Sequence, residues 1–248
     1  MTRTELYRAQ LSAMTDWEPY LWEHSGLPGP RANLELAQVV ADIGDEVLFM
    51  RLLGHDASRA PVNSPQEFLA FCGVVGLGRL AAEGRLDLLP LIRTHASDPR
   101  WRMREGVAMA LQRLGTRDMG TLLREMKQWA RGNLLERRAA AAGLCEPALL
   151  REPADVAKVL AILDLITASV LKEKERKSAE LVALKKGLGY CWSVAVVALP
   201  DQGKPRMERW FASDDPDVRW IMRENLKKAR LARMDARWVK AWSTRLAA

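Results

Sequence analysis

A five-residue pattern, Trp-x-Met-Arg-Glu, occurs twice and constrains the fold more than any other feature of the chain. It reads Trp101-Arg102-Met103-Arg104-Glu105 and, near the C-terminus, Trp220-Ile221-Met222-Arg223-Glu224. An Asp-Pro turn precedes each copy, Asp98-Pro99 and Asp215-Pro216, and an Asp stands six residues before each shared Arg: Asp98 before Arg104, Asp217 before Arg223. A helix start that recurs in this way points to repeated helical hairpins. A single hairpin cannot bury its apolar face alone, so neighbours must stack against one another.

The rest of the chain keeps that helical rhythm. With 48% hydrophobic residues among 248, there is enough apolar surface for one long domain or two short ones. Ala and Leu dominate, and strand-type alternation of β-branched and aromatic residues is nearly absent, so the predicted fold is all-α. One or two short helices over 3–24 are followed by the breaker Gly26-Leu27-Pro28-Gly29-Pro30. Asn33 is the expected N-cap of a helix over 34–43, and a helix over 45–53 follows. Further helices are predicted over 66–83, 86–96, 99–114, 118–130, 133–145, 154–172, 178–199, 206–212, 216–231 and 235–246. In the first motif helix Met103, Val107, Ala110, Leu111 and Leu114 form the core stripe; in the second it is Val218, Met222, Leu226 and Ala229. The expected organisation is one α-solenoid over 1–248. Residues 1–65 form an N-terminal cap with less regular repeats, 66–231 the repeats proper, and 235–246 a capping helix bearing Trp238 and Trp242.

Pro90, Asp98 and Arg104 resemble the HEAT-repeat and armadillo-type superfamily, in which a Pro kinks the first helix, an Asp follows in the turn and an Arg sits in the second helix. Asp217 and Arg223 fit two of those positions, with Arg209 where the Pro would stand, and residues 131–146 fit the Arg and the apolar spacing through Arg137. The loop from Leu27 to Leu36 is similar to stretches of bacterial HEAT-type proteins of unknown function. The resemblance implies a superhelix of HEAT-like hairpins and no particular activity. Asp98, Arg104, Asp217 and Arg223 are then structural, the Asp capping a helix start and the Arg reaching a neighbouring repeat's Asp or carbonyl.

Second helices of a solenoid line its concave groove. Trp101 with Glu105, and Trp220 with Glu224, are four apart and share a face, so each pair either meets a partner there or packs on the adjacent repeat. Asp164 is the one charge between Lys158 and Lys172, on a face with Ala157, Ala161 and Ala168. It is either a polar centre in the groove beside Tyr190 and Trp192, or a carboxylate bonded to Thr167, Ser169 or backbone. Arg219, Arg223, Lys227 and Arg230 recur at helical spacing, and Lys228, Arg233, Arg237 and Lys240 follow nearby. Residues 200–248 hold 12 Lys and Arg against 7 Asp and Glu, which places five of the seven net positive charges there. Arg219, Lys227, Lys228, Arg230 and Arg233 therefore form either a stripe for nucleic-acid phosphates or a solvated face.

Other chemistries find no foothold. His24, His55 and His95 are dispersed, no His, Cys or carboxylate set has metal spacing, and no Ser elbow or Cys/His signature occurs. Gly73-Val74-Val75-Gly76-Leu77-Gly78 lies in a helical pattern, without the strand that a phosphate loop requires. No cofactor and no metal are expected. Cys72, Cys145 and Cys191 read as buried free thiols. The Met1–Leu6 start lacks an apolar signal region, and Asp164 interrupts the apolar run 159–171, so a cytoplasmic protein without a membrane contact is expected. The first functional expectation is a non-enzymatic scaffold for a protein or peptide. The alternative is a nucleic-acid-binding relative of the HEAT-type alkylpurine DNA glycosylases. Those enzymes place an acidic residue between tryptophans on the concave face, and no motif here carries that constellation.

Overall fold

A computed structural model describes residues 2–247, and every regular element among them is helical. The chain divides into two compact units, with the division between Arg117 and Asp118.

The first unit is built around α5 (Pro65–Ala82). Helices α2 (Glu18–Glu23), α3 (Leu34–Ile43), α4 (Glu46–Leu53) and α7 (Trp101–Arg117) all pack on it; α1 (Arg3–Ser12) rests on α3 and α6 (Leu89–His95) on α7. Ser64 caps α5 by accepting from the Glu67 amide, and Pro65 occupies its first turn, where the missing N–H has no helical partner to lose. Asn33 caps α3 through the Leu36 amide, as its sequence position predicts. The Gly-rich stretch from Gly73 to Gly78 is the middle of α5, and its glycines serve close packing. A Cβ on Gly78 would stand 2.3 Å from the Ala110 Cα, so α5 and α7 touch backbone to backbone. The α7 stripe from Met103 to Leu114 is buried as expected, but α7 runs on through Gly115 to Arg117.

Buried arginines tie the loops of this unit to that core. Arg100 forks onto Asp98, 2.7 Å from Oδ2, and donates to the His55 carbonyl at 2.8 Å. Arg102 pairs with the fully buried Glu67 at 3.2 Å and donates to the Gly29 carbonyl at 2.8 Å.

The second unit consists of α8 (Met119–Trp129), α9 (Leu134–Leu144), α10 (Pro153–Val170), α11 (Ala179–Ala198), α12 (Pro200–Phe211), α13 (Pro216–Leu226), α14 (Ala229–Met234) and α15 (Ala236–Ala247). Consecutive helices pair as α8/α9, α10/α11 and α12/α13. Across the pairs α9, α11 and α13 form one layer and α8, α10 and α12 the other. By length and composition α11 passes for a membrane span, yet it is the helix on which α9, α10, α12, α13 and α14 pack. Cys145, at the end of α9, lies beside Cys191 of α11; both thiols are free and buried, as is Cys72 in the first unit.

Two boundaries differ from the sequence expectation. α12 begins at Pro200, six residues before the expected start at 206, and Pro205 lies inside the helix. The predicted helix over 216–231 breaks into α13 and α14, leaving Ala229 exposed and outside the core stripe. Asn225, fully buried, takes the Leu188 and Ile221 carbonyls at 2.8 Å each and accepts from the Ser193 amide at 2.8 Å. That side chain bonds across to α11 at the last turn of α13. Trp238 and Trp242 of α15 close over α12, with ring centroids 5.6 and 4.7 Å from Phe211 and both indoles donating to Glu208.

Candidate binding surface

Two exposed aromatic rings of the second unit lie on α11 and on α13, which packs against it. Asp215 starts α13 by accepting the Asp217 and Val218 amides at 3.0 and 3.1 Å, with Pro216 preset in the first turn. The helix so fixed carries Trp220 and, one turn on, Glu224 across Gly189 of α11. A Cβ on Gly189 would lie 3.1 Å from the Glu224 Cβ and 3.5 Å from the Trp220 ring, so the missing side chain makes room for both. Trp220 remains 37% exposed. Lys185 of α11 stands 5.4 Å from the Trp220 ring centroid and pairs with Asp217. Lys227 pairs with Glu224.

One turn along α11, Tyr190 is 41% exposed. The Arg230 guanidinium of α14 lies 4.5 Å from its ring centroid and donates to the phenol oxygen at 2.6 Å. Each of these two exposed rings thus has a cation against it. Guanidinium and ammonium groups against aromatic faces are attracted by the ring quadrupole, by about 0.5–1 kcal/mol at exposed sites.

Asp217 is held by two cations, Lys185 and Arg176. Arg176 forks to Asp215 at 2.8 Å and Asp217 at 2.9 Å. Burial pushes the Asp217 carboxyl upward, but hydrogen bonds from Lys185 and Arg176 outweigh it and hold the group below the usual carboxylate range.

Several predicted residues lie elsewhere. Trp101, 45% exposed, and Glu105 belong to the first unit, where the Arg102 guanidinium sits 4.4 Å from the Trp101 ring centroid. Trp192 is fully buried and donates to Thr167 at 3.0 Å, so it is core and not a groove residue. Asp164 meets neither Tyr190 nor Trp192. It accepts from Arg206 at 2.6 Å, Arg209 at 3.1 Å and the Trp210 indole at 2.8 Å, all from α12. Nothing local in the sequence links Asp164 to those partners, which lie 42 to 46 residues on. Among the described residues Arg219, Lys228 and Arg233 enter no ion pair.

The repeated Arg residues also act differently from one another. Arg104 donates to the Asp98 and Pro99 carbonyls of its own preceding turn, at 2.7 and 2.9 Å, whereas Arg223 donates to the Leu246 carbonyl of α15. Asp98 accepts the Arg100 amide and guanidinium. Asp98 and Asp215, the two residues of the Asp-Pro turns, are therefore the equivalent caps, and Asp217 is an added ion-pair partner. Among the described residues no group of three or more His, Cys, Asp or Glu side chains is placed to hold a metal. Compared with known proteins, the chain matches no family model, no curated protein and no solved structure.

Proposed function

We propose that the chain is a binding scaffold of HEAT-like helical hairpins that docks a protein or peptide partner on the α11–α13–α14 face without catalysing a reaction. One observation carries the reading: Trp220 and Tyr190 stand exposed on adjoining helices, each with a cation against its ring, Lys185 tied to Asp217 and Arg230 to the Tyr190 phenol oxygen. Aromatic and Arg side chains held in place before binding are the usual anchors of protein interfaces, because little side-chain entropy is left to lose. The pairing of α8/α9, α10/α11 and α12/α13 in two layers supports the hairpin reading. Asp164, occupied by two guanidinium groups and an indole, leaves no proton-transfer group poised at that position, which favours binding over chemistry.

A second reading, nucleic-acid binding, is favoured by Lys228 and Arg233, which among the described residues enter no ion pair, and by the exposed, stackable Tyr190 ring. One set of titrations separates the two. Single-stranded and duplex DNA are titrated at two salt concentrations against the parent and a Lys228→Ala, Arg233→Ala variant. Affinity that falls steeply with salt, with a shallower slope in the variant, would favour nucleic acid. The scaffold reading predicts no such binding, and a captured protein partner that is lost on Trp220→Ala while the melting temperature is kept. Partner capture unchanged by Trp220→Ala would remove this face from the interface.

A further inference from the structure

A second surface of the same unit, on the α8/α10 layer, has a different chemistry. Between α8 and α10 lies a groove of about 690 Å³ floored by Leu123, Ala161, Ile162 and Leu165. Leu165 is 37% exposed and Ala161 is exposed, so apolar surface faces outward in a folded unit. Four cations rim it: Arg124, Lys127 and Arg131 along one side and Lys158 on the other. No carboxylate lines the groove. Among the described residues Arg124, Lys127 and Arg131 enter no ion pair; Arg124 donates to Thr121 and Arg131 to the Lys127 carbonyl, while Lys158 pairs with Asp155 at 2.9 Å. Beyond Leu165 the surface continues to Arg209, whose charge is met there by Asp164 at 3.1 Å, so the uncompensated cations lie on the α8 side.

We infer that this groove docks an amphipathic helix from an acidic partner protein. The floor takes the partner's apolar stripe, with the small Ala161 side chain letting a ridge approach closely, and the rim pairs with carboxylates flanking that stripe. An apolar floor ringed by cations excludes water from the contact while steering the partner in. Nucleic acid fits poorly, since no aromatic ring lines the groove for a base to stack on.

The test uses the full chain and a synthetic peptide of about 18 residues, five helical turns. Leu is placed at i, i+3, i+4 and i+7 with Glu at the flanking positions; a second peptide carries Lys in place of Glu. The Glu peptide is expected to bind saturably and to become helical, the Lys peptide not to bind, and affinity to fall as salt rises. Leu165→Gln, and separately Arg124→Glu with Lys127→Glu, should each weaken the Glu peptide by about tenfold at an unchanged melting temperature. Trp220→Ala should leave it unaffected, which keeps this groove distinct from the α11–α13–α14 face. The inference is overturned if the Glu peptide shows no saturable binding, if the Lys peptide binds as tightly, or if both groove variants bind like the parent. It is also overturned if the groove variants lose only binding to a single-stranded oligonucleotide or to anionic phosphatidylglycerol vesicles, which would make the surface a general anion or membrane site.

Discussion

Single side chains set much of the stability of the first unit. Glu67 is fully buried, and among the described residues its one cationic partner is Arg102, itself 5% exposed. Removing one member of such a pair strands a charge in a dry interior, so Arg102→Ala should cost about 3–5 kcal/mol. Glu67→Gln combined with Arg102→Met should cost less than that single change. Urea unfolding of both variants measures it, and a double variant no more stable than the single would show that the ion pair is not the cause. His95 supplies a pH dependence. Burial, aided by the Arg100 charge and opposed by Asp98, lowers its pKa from 6.5, and among the described residues its Nε2 has no partner. The folded state thus resists a proton that the unfolded chain accepts. Stability is level above pH 6.5 and declines below it, by up to about 1.4 kcal/mol per pH unit. His95→Gln should flatten that decline in unfolding experiments between pH 5 and 8. None of this was legible beforehand: Arg100, Arg102 and Arg104 alternate along one short stretch, and nothing local says that the first two are the buried ones.

At the scale of elements, periodicity and caps carried most of the information. Asn33, the Asp-Pro turns and the core stripe of α7 all sit where spacing places them. Local signals fail where a distant side chain decides: Asn225 bonds to α11 where one predicted helix divides into two, and Trp192 points inward to Thr167. The glycines show the same dependence on context. In an exposed helix Gly→Ala stabilises by up to about 1 kcal/mol. Gly187→Ala in α11 should do so, because its Cβ would meet only the Arg138 Cγ, at 3.4 Å. Gly78→Ala should instead destabilise by about 1–3 kcal/mol, since its Cβ would press within 2.3 Å of the Ala110 backbone. Thermal melts of the two variants should shift in opposite directions.

At the scale of the whole molecule, the sequence organises the chain as one run of repeats, while its contacts gather into two units that divide after Arg117. The duplicated pattern does not mark that division, because one copy lies in each unit and each performs a different local task. The candidate surfaces were only half legible. Tyr190, Trp220 and Arg230 can be named from type and spacing, but the seat of Trp220 and Glu224 on α11 depends on Gly189, whose missing side chain signals closeness only once its neighbour is known. The cationic rim of α8 is not legible in the sequence, because Arg124, Lys127 and Arg131 look like an ordinary solvated face until α10 supplies the apolar floor.

The placement of the three thiols makes the protein its own recorder of how it comes apart. Cys72 is sealed in one unit, Cys145 and Cys191 in the other, and burial pushes the Cys72 and Cys145 thiols up and out of reactive range. Under mild denaturant a chromogenic disulfide reagent should therefore tag each chain in integer steps, read directly by mass spectrometry. A first species with one tag means that the N-terminal half opened alone, one with two tags that the C-terminal half did, and three at once that the halves melt as a single cooperative body.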